Sequence, residues 1–275
     1  MKANKPKIDS TVHLEKTLTL AGLTLILVGV IANLFSAYVN RGFIHAPIDF
    51  LYYFRYIILL GGGFAVGYLL TNKAARSTHY NRLFIGVGYA VLAMTIYWLF
   101  DVARVGLQGP VGHLTYPWAN IVFMCEPVLA VVTVLILATF SQRKSVRSGL
   151  NTLTKVALVI AFIVYQVYTL ASGAYYILIG TAQPDPLWLT IGGYFITPIV
   201  IAIVSYALLN GVKRRFDRFF YAALIGAFYS CLTSVLWEFR TDPSNTATNV
   251  FGSVVAILTL LFVGVLLWRA RKAVK

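Results

Sequence analysis

Eight apolar segments, each long enough to cross a lipid bilayer, follow one another along this chain. A helix needs roughly 20 apolar residues to cross the hydrocarbon core, because it rises about 1.5 Å per residue. The sequence shows none of the alternating pattern of barrel strands, and backbone groups cannot stay unpaired in lipid, so helices are the structure that fits. The predicted spans are residues 17–39, 48–70, 83–105, 116–140, 153–179, 187–210, 216–239 and 247–269.

Composition and charge indicate the same class of protein. Hydrophobic residues make up 59% of the 275 residues and charged residues only 12%, which is about half the charged share of a soluble domain. The formal net charge of +14 would suggest a nucleic-acid partner for a soluble protein. Here the basic residues stand in short loops between apolar runs, so we expect the lipid bilayer, and not nucleic acid, to be the partner of this surface.

The placement of lysine and arginine predicts the orientation. With the N-terminus assigned to the cytoplasm, 19 of the 23 basic residues fall on inner segments. Positively charged loops stay in the cytoplasm, so this alternation predicts an even number of spans with both termini inside. We therefore predict an all-α integral membrane protein with eight transmembrane helices, in the cytoplasmic (inner or plasma) membrane. The basic residues of the outer half are Arg41, Arg55, Arg104 and Arg240.

The loops are short, and the sequence predicts a single membrane domain, residues 17–269. It lies between a cytoplasmic N-terminal segment, residues 1–16, and a cytoplasmic C-terminal segment, residues 270–275. The N-terminal segment lacks the small-residue cleavage site of a secretory signal, so we expect it to remain on the protein.

Spans three and seven end in a similar way. Span three carries Trp98, Asp101 and Arg104 near its outer end, and span seven carries Trp237, Glu238 and Arg240. Each set contains an aromatic residue, an acid and an arginine on a helix that runs from inside to outside. Some transporters are built from parallel repeats, so the match suggests two parallel four-helix halves, spans one to four and five to eight.

Two charged residues are predicted to lie deep in the membrane. Counted from the start of their helices, Arg55 in span two and Glu126 in span four lie about 12 and 13 Å below the outer boundary. A lone charge at such depth costs at least a few kcal/mol and usually faces a bundle interior or a wet cavity. Three alternatives stay open: a structural role, in which Arg55 pairs with Glu126 or a neutral Glu126 bonds a tyrosine; a substrate or proton site; or a lipid-facing position.

The first hypothesis is a small-solute transporter or permease. We expect an outward-facing polar pocket around the charged residues Glu126, Arg55, Asp101 and Arg104, with a lining formed by Tyr52, Tyr56, Tyr97 and Trp98. In it, Glu126 binds a proton or a cationic group of a small-molecule substrate, and Arg55 balances its charge. This hypothesis assigns no catalytic residue. The candidate residues for substrate or proton binding are Glu126, Arg55, Asp101, Arg104, Glu238, Tyr52, Tyr56, Tyr97 and Trp98.

Two other classes of function stay open. The chain could be an enzyme that acts on a lipid or isoprenoid at the outer leaflet, with Glu126 or Asp101 as general acid or base. It could also be a non-catalytic accessory or sensor subunit, in which the tyrosine-rich surface binds a membrane protein partner or a second copy of the chain.

The sequence predicts neither a cofactor nor a metal ion. Its four histidines lie in predicted loops or end segments and not on facing helices, so they do not form the axial ligand pairs of a membrane haem protein. No His-x-x-x-His spacing suggests a zinc site, and no phosphate-binding glycine loop follows a strand. The histidines are His13, His45, His79 and His113.

Small and polar residues inside the spans are expected to serve helix packing. Gly63 and Gly67 form a small-xxx-small pair that lets a neighbouring helix approach closely. Most of five polar residues are expected to form ordinary interhelical hydrogen bonds, each worth about 0.6 kcal/mol. They are Asn33, Gln166, Ser205, Ser230 and Ser234.

Overall fold

The structure, a computed structural model, describes residues 10–43, 48–72, 79–108, 117–142, 150–178, 196–241 and 245–274. These residues are helical almost throughout, and no strand occurs among them. A π-helical segment, Ile57–Gly62, precedes α3, and a 3₁₀ turn, Trp237–Phe239, follows α8. The α-helices are α1 Ser10–Val39, α2 Asp49–Tyr53, α3 Gly63–Asn72, α4 His79–Gln108, α5 Pro117–Gln142, α6 Thr152–Leu178, α7 Thr197–Leu208, α8 Arg215–Leu236 and α9 Asn245–Val274.

Six helical stretches are long and apolar enough to cross a membrane, as expected for a multi-pass α-helical membrane protein. The two shorter apolar helices, Ile57–Leu70 and Thr197–Leu208, fall within predicted spans two and six. The start of span six, residues 187–195, lies outside the described residues, as do residues 1–9, so eight spans stay a prediction. The six stretches are Thr11–Val39, Asn81–Arg104, Ile121–Ser141, Thr152–Ala171, Arg215–Phe239 and Val250–Val274.

Helices α4 and α8 form the centre of the bundle. The most apolar window of each is 83% buried, whereas the corresponding windows of the other four long helices are 28 to 44% buried. Helices α1 and α6 each pack against both central helices. Helices α3 and α5 flank α4, and α7 and α9 flank α8. Residues at the ends of α4 and α8 are therefore held in fixed positions relative to one another.

Glycine permits a close contact between α3 and α4. A Cβ atom at Gly63 would lie 2.8 Å from the carbonyl oxygen of Tyr89, and one at Gly67 would lie 2.9 Å from the Cα atom of Gly86. These atoms belong to the backbone and cannot move aside, so only glycine fits at either position. The prediction that Gly63 and Gly67 admit a neighbouring helix is confirmed.

Apolar side chains cover much of the outside of the bundle. Leu27 on α1 is 60% exposed, Ile203 on α7 is 64% exposed and Leu261 on α9 is 62% exposed. Soluble proteins rarely expose apolar side chains in such numbers on so many elements. This surface therefore fits contact with lipid hydrocarbon.

Polar groups inside the bundle form interhelical hydrogen bonds only in part. Asn33 bonds the backbone of span two, as predicted for an interhelical contact. Ser205 and Ser234 donate instead to the carbonyl four residues earlier in their own helices, and the side chains of Gln166 and Ser230 have no hydrogen-bond partner among the described residues. The prediction is wrong for these four residues. For the two bonded serines the reason is local, because a short hydroxyl reaches the preceding turn of its own helix most easily.

Candidate functional site

The second span is interrupted where Asn33 of α1 enters its hydrogen-bond ladder. The Asn33 side-chain amide donates to the carbonyl of Tyr53, and its oxygen accepts from the backbone N–H of Ile57 at 3.0 Å. In a regular helix this N–H would donate to the Tyr53 carbonyl directly, so one side chain replaces one helical bond. The backbone turns at Phe54 and continues as a π-helix from Ile57. Arg55 lies within this break.

Arg55 forms an ion pair with Glu238, which lies on the 3₁₀ turn after α8. Its guanidinium also donates to the Tyr52 carbonyl at 3.1 Å, and its Cζ atom lies 4.2 Å from the centre of the Tyr52 ring. The Tyr56 ring lies on another side of the guanidinium, at 5.0 Å, and the Tyr56 hydroxyl donates to the carbonyl of Ser234 at 3.2 Å. The Arg55–Glu238 pair is thus one base matched to one acid.

A polar cavity of about 550 Å³ opens beside the Arg55–Glu238 pair. It lies between the end of α1, the α2 segment and the residues that follow α8. The side chains of Arg55 and Glu238 retain 11% and 12% of their exposure, so both reach this cavity without lying on the surface. A volume of this size is in the range of small-molecule sites. The lining residues are Ser36, Asn40, Tyr52, Tyr53, Arg55, Trp237, Glu238, Arg240 and Thr241.

A second ionic group joins α4 to α5, and we name Asp101, Arg104 and Glu126 the acidic cluster. Arg104 pairs with Asp101 one turn earlier on α4, and its Nε atom donates to Oε1 of Glu126 at 3.1 Å. In the described part of the chain, Arg104 is the only ion-pair partner of either acid. Glu126 is 1% exposed, and its Oε2 atom has no hydrogen-bond partner among the described residues. One guanidinium therefore serves two carboxylates.

Aromatic rings connect the two ionic groups. The Cζ atom of Arg104 lies 4.5 Å from the centre of the Phe123 ring, and this ring lies 4.8 Å from that of Tyr52. Tyr52 in turn contacts Arg55, so a continuous set of contacts runs from Glu238 to Glu126. The Arg55–Glu238 pair and the acidic cluster are therefore joined by direct side-chain contacts.

The expected pair of Arg55 with Glu126 does not form. Arg55 pairs with Glu238, and Glu126 pairs with Arg104. Similar depth in the membrane made the expected pair geometrically feasible, but α4 and α8 each bring a nearer partner of opposite charge. Nor does a tyrosine bond Glu126 among the described residues, since its side-chain partner there is Arg104.

The remaining predicted site residues lie close to the two groups but differ in their surroundings. Tyr97 is buried on α4 and interacts electrostatically with both Arg55 and Asp101. Trp98 is buried too, but its ring stacks on Tyr165 of α6, with centres 4.6 Å apart. Four aromatic residues were predicted to line the pocket, and the lining of the polar cavity includes Tyr52 but not Tyr56, Tyr97 or Trp98.

Sequence reasoning missed Phe123 and the position of Asn33. A signal for Phe123 was present, because Pro127 lies inside α5 and lacks the N–H that would bond the Phe123 carbonyl. A phenylalanine one turn before a proline and three residues before a buried acid could have been included in the candidate site. Asn33 gave no such signal, since an asparagine in an apolar span can bond a backbone or a side chain.

The opposite end of the bundle carries a smaller polar group. Nζ of Lys155 on α6 lies 2.7 Å from Oδ1 of Asp217 on α8, and the Tyr221 hydroxyl donates to Glu15 of α1 at 2.7 Å. The Lys155–Asp217 pair, like the Arg55–Glu238 pair, matches one base to one acid. It provides a control position far from the candidate site.

No family model matches this chain, and no curated protein or solved structure matches it either. Among the described residues, no group of three or more histidine, cysteine, aspartate or glutamate side chains could hold a metal ion. The functional argument therefore depends on the geometry of the two ionic groups and of the cavity.

Proposed function

We propose that this protein is a small-solute permease whose transport depends on proton or cation binding at Glu126. The proposal includes eight spans in the cytoplasmic membrane, both termini in the cytoplasm and two parallel four-helix halves. In this arrangement the polar cavity faces outward, and Asp101, Arg104 and Glu126 lie at the same end of the bundle. The packing of α3 and α5 around α4, and of α7 and α9 around α8, supports two related halves.

The unequal charge of the acidic cluster is the observation that carries this proposal. Asp101 and Glu126 share the single guanidinium of Arg104, and one oxygen of the nearly fully buried Glu126 has no partner among the described residues. An ionised carboxylate in that position lacks a full complement of charge and hydrogen bonds, which is unfavourable in a low-dielectric interior. A proton or a small cation would supply what is missing.

The Arg55–Glu238 pair supplies a different kind of site. Its charges cancel, and its side chains reach a cavity of about 550 Å³ together with tyrosine, serine and asparagine groups and the guanidinium of Arg240. A lining with two guanidinium groups, one carboxylate and hydrogen-bonding groups suits a polar solute that carries both charges, such as a zwitterionic amino acid. We assign solute binding to this cavity and ion binding to the acidic cluster, with Tyr52 and Phe123 as the link between them.

Uptake into proteoliposomes tests this assignment. The purified protein is reconstituted, and the uptake of labelled amino acids is measured with and without an inward proton gradient. The wild type is expected to accumulate at least one of these solutes when the outside is acidic. Glu126→Gln is expected to abolish accumulation driven by the gradient, because the amide cannot take up and release the proton.

Asp217→Asn is the matched control, since it also converts a carboxylate of an ion pair to an amide, at the opposite end of the bundle. It should transport as the wild type does. Uptake that is the same in the wild type and Glu126→Gln would contradict the role of Glu126. A wild type that moves none of these solutes would contradict the proposed substrate class.

A further inference from the structure

A second cavity, which differs in chemical character from the polar cavity of the candidate site, lies between α6, α7 and α8. Its volume is about 680 Å³, and its walls are almost wholly apolar. Aromatic rings form a large part of the lining: Phe162 on α6, Tyr206 on α7, and Phe216 and Phe219 on α8. Phe216 and Phe219 are both more than one-third exposed on the lipid-facing side, so the cavity is accessible from the membrane.

One buried amide interrupts this apolar lining. Gln166 on α6 is 3% exposed, and neither its Oε1 nor its Nε2 atom has a hydrogen-bond partner among the described residues. An amide that is removed from water without partners destabilises the folded state, and such groups are rare in folded proteins. A ligand oxygen that accepts a hydrogen bond from Nε2 would remove part of this penalty.

Gln166 lies near the middle of the span. The Lys155–Asp217 ion pair places these two residues at one level, and Gln166 follows Lys155 by eleven residues along α6. At the rise of an α-helix, this puts the amide about 16 Å further into the bundle. No charged residue among those described lines this deep end, since Arg215 is the one charged residue of the lining and begins α8. The group that meets Gln166 is therefore neutral.

The mouth of the cavity allows another interpretation, in which an anionic lipid binds. Arg215 lines the mouth and follows Lys213 and Arg214, and basic clusters of this kind attract anionic headgroups. The ester carbonyls of a phospholipid stay close to its headgroup, however, so such a lipid would place only hydrocarbon against Gln166. It would leave the amide without a partner.

We propose that the cavity between α6, α7 and α8 binds a quinone-like lipid, in which a neutral ring carbonyl accepts a hydrogen bond from Gln166. The aromatic walls pack against the flat ring, which agrees with the preference of aromatic groups for stacked and edge contacts. A volume of about 680 Å³ accommodates the ring and the first part of its tail. The rest of the tail leaves the cavity past its lipid-exposed lining residues, among them Ile203 and Phe219, into the bilayer. The proposal concerns binding only and is independent of transport at Glu126.

Thermal unfolding with decylubiquinone tests this proposal. The detergent-purified full chain is titrated with this quinone, and a ligand that binds only the folded state raises Tm. The wild type is expected to show a saturable rise in Tm. Gln166→Leu, which keeps the size of the side chain, should abolish the rise and should itself be no less stable than the wild type. Ile203→Trp, which fills the cavity from its lipid-exposed wall, should also abolish it while Gln166 is retained.

Ser205→Ala is the matched control, because it removes a buried polar group that already bonds its own helix and does not line the cavity. It should respond to the quinone as the wild type does. Equal shifts in all four proteins, or no shift in the wild type at saturation, would overturn the site.

Two further probes separate the alternatives of ligand chemistry. Farnesol carries a hydroxyl on a similar tail but no ring carbonyl, and a shift with farnesol but not with the quinone would overturn the ring-carbonyl assignment. Phosphatidylglycerol tests the anionic alternative. A shift that appears only with this lipid, and that Arg215→Gln removes but Gln166→Leu does not, would overturn the quinone in favour of a headgroup site.

Discussion

The Arg55–Glu238 pair and the acidic cluster lie at the same end of the bundle, are linked by Tyr52 and Phe123, and differ in charge balance. The pair matches one guanidinium to one carboxylate beside an open polar cavity. In the acidic cluster one guanidinium meets two carboxylates, and Glu126 is buried with one oxygen unbonded among the described residues. A structural role explains the Arg55–Glu238 pair, because its charges are balanced. A structural role does not explain the acidic cluster, because its second carboxylate adds an unfavourable charge.

This difference distinguishes a charged residue that is buried for stability from one that is buried for function. Removal of one partner from a buried pair leaves an uncompensated charge and is strongly destabilising. Removal of a surplus charge is expected to maintain or raise the stability of the folded state, because the remaining partners are then balanced. The two sites therefore predict opposite responses to similar substitutions, and the predicted differences are large enough to measure.

Arg104→Gln should have the largest effect, because it leaves Asp101 and Glu126 without their shared cation. We expect the free energy of unfolding to fall by about 3 to 5 kcal/mol, the range for breaking a buried ion pair. Reversible unfolding in mixed micelles measures it. Arg55→Gln leaves only Glu238, which can be hydrated from the cavity, so its loss should be smaller, about 1 to 3 kcal/mol.

The double variant Arg104→Gln, Glu126→Gln sharpens this prediction. It should regain part of the stability lost by Arg104→Gln, since only Asp101, which is 42% exposed, then remains charged. A double variant that is less stable than Arg104→Gln would show that Glu126 has another stabilising partner.

Asn33→Leu should affect the Arg55 site more than the acidic cluster. It removes the amide that bonds the Tyr53 carbonyl and the Ile57 N–H, so the expected loss is about 1 to 3 kcal/mol. Without the amide, the backbone of span two can restore its own bond and turn Arg55 away from Glu238. The energetic coupling between Arg55 and Glu238, measured by a double-mutant cycle, should therefore also fall.

Thr19→Val is the control for this change. Thr19 lies on the same helix as Asn33, but its hydroxyl bonds the Glu15 carbonyl one turn earlier and does not line the polar cavity. Its effect on the coupling of Arg55 with Glu238 should be small. An equal effect of both substitutions would mean that the break in span two does not depend on Asn33.

Phe123→Leu should have the smallest effect, because the change keeps an apolar side chain. It removes the contacts of the ring with Tyr52 and with the Arg104 guanidinium, each pair of this kind being worth about 0.5 to 1.5 kcal/mol. The measurement is the coupling between Arg55→Gln and Arg104→Gln, which should shrink in the Phe123→Leu background. Unchanged coupling would separate the two sites and would weaken the transmission from cavity to cluster.

The class of the fold could be predicted from the sequence, because the length and apolarity of a span are local properties of the chain. The approach of α3 to α4 at Gly63 and Gly67 could be predicted for the same reason. The acids and arginines of the candidate site were found as well, since charges are unusual in apolar runs. Six of the helical stretches have the expected length, span two is interrupted at Phe54, and only the part of span six from residue 196 is described.

The pairing of the charges could not be predicted, because it depends on which helices are neighbours. Depth along straight helices placed Arg55 beside Glu126, whereas the break at Asn33 and the central position of α8 bring Arg55 to Glu238. Trp98 was predicted to line a pocket, but its ring stacks on Tyr165 of another helix. The sequence does not show which helix carries such a stacking partner. Gln166 was predicted to bond a neighbouring helix, and only three-dimensional packing reveals that it lines a cavity without a partner among the described residues.

The free energy of unfolding of Glu126→Gln, compared with that of Glu238→Gln, tests the central claim most directly. Both substitutions convert a glutamate that pairs with arginine to its amide, at a buried position for Glu126 and a half-buried one for Glu238. Glu238→Gln should lose about 1 to 3 kcal/mol, because Arg55 keeps its charge without an acid. Glu126→Gln should be as stable as the wild type or more so, because Asp101 still balances Arg104. An equal loss for both would show that Glu126 is a structural partner of Arg104, and would contradict its assignment as the proton or cation site.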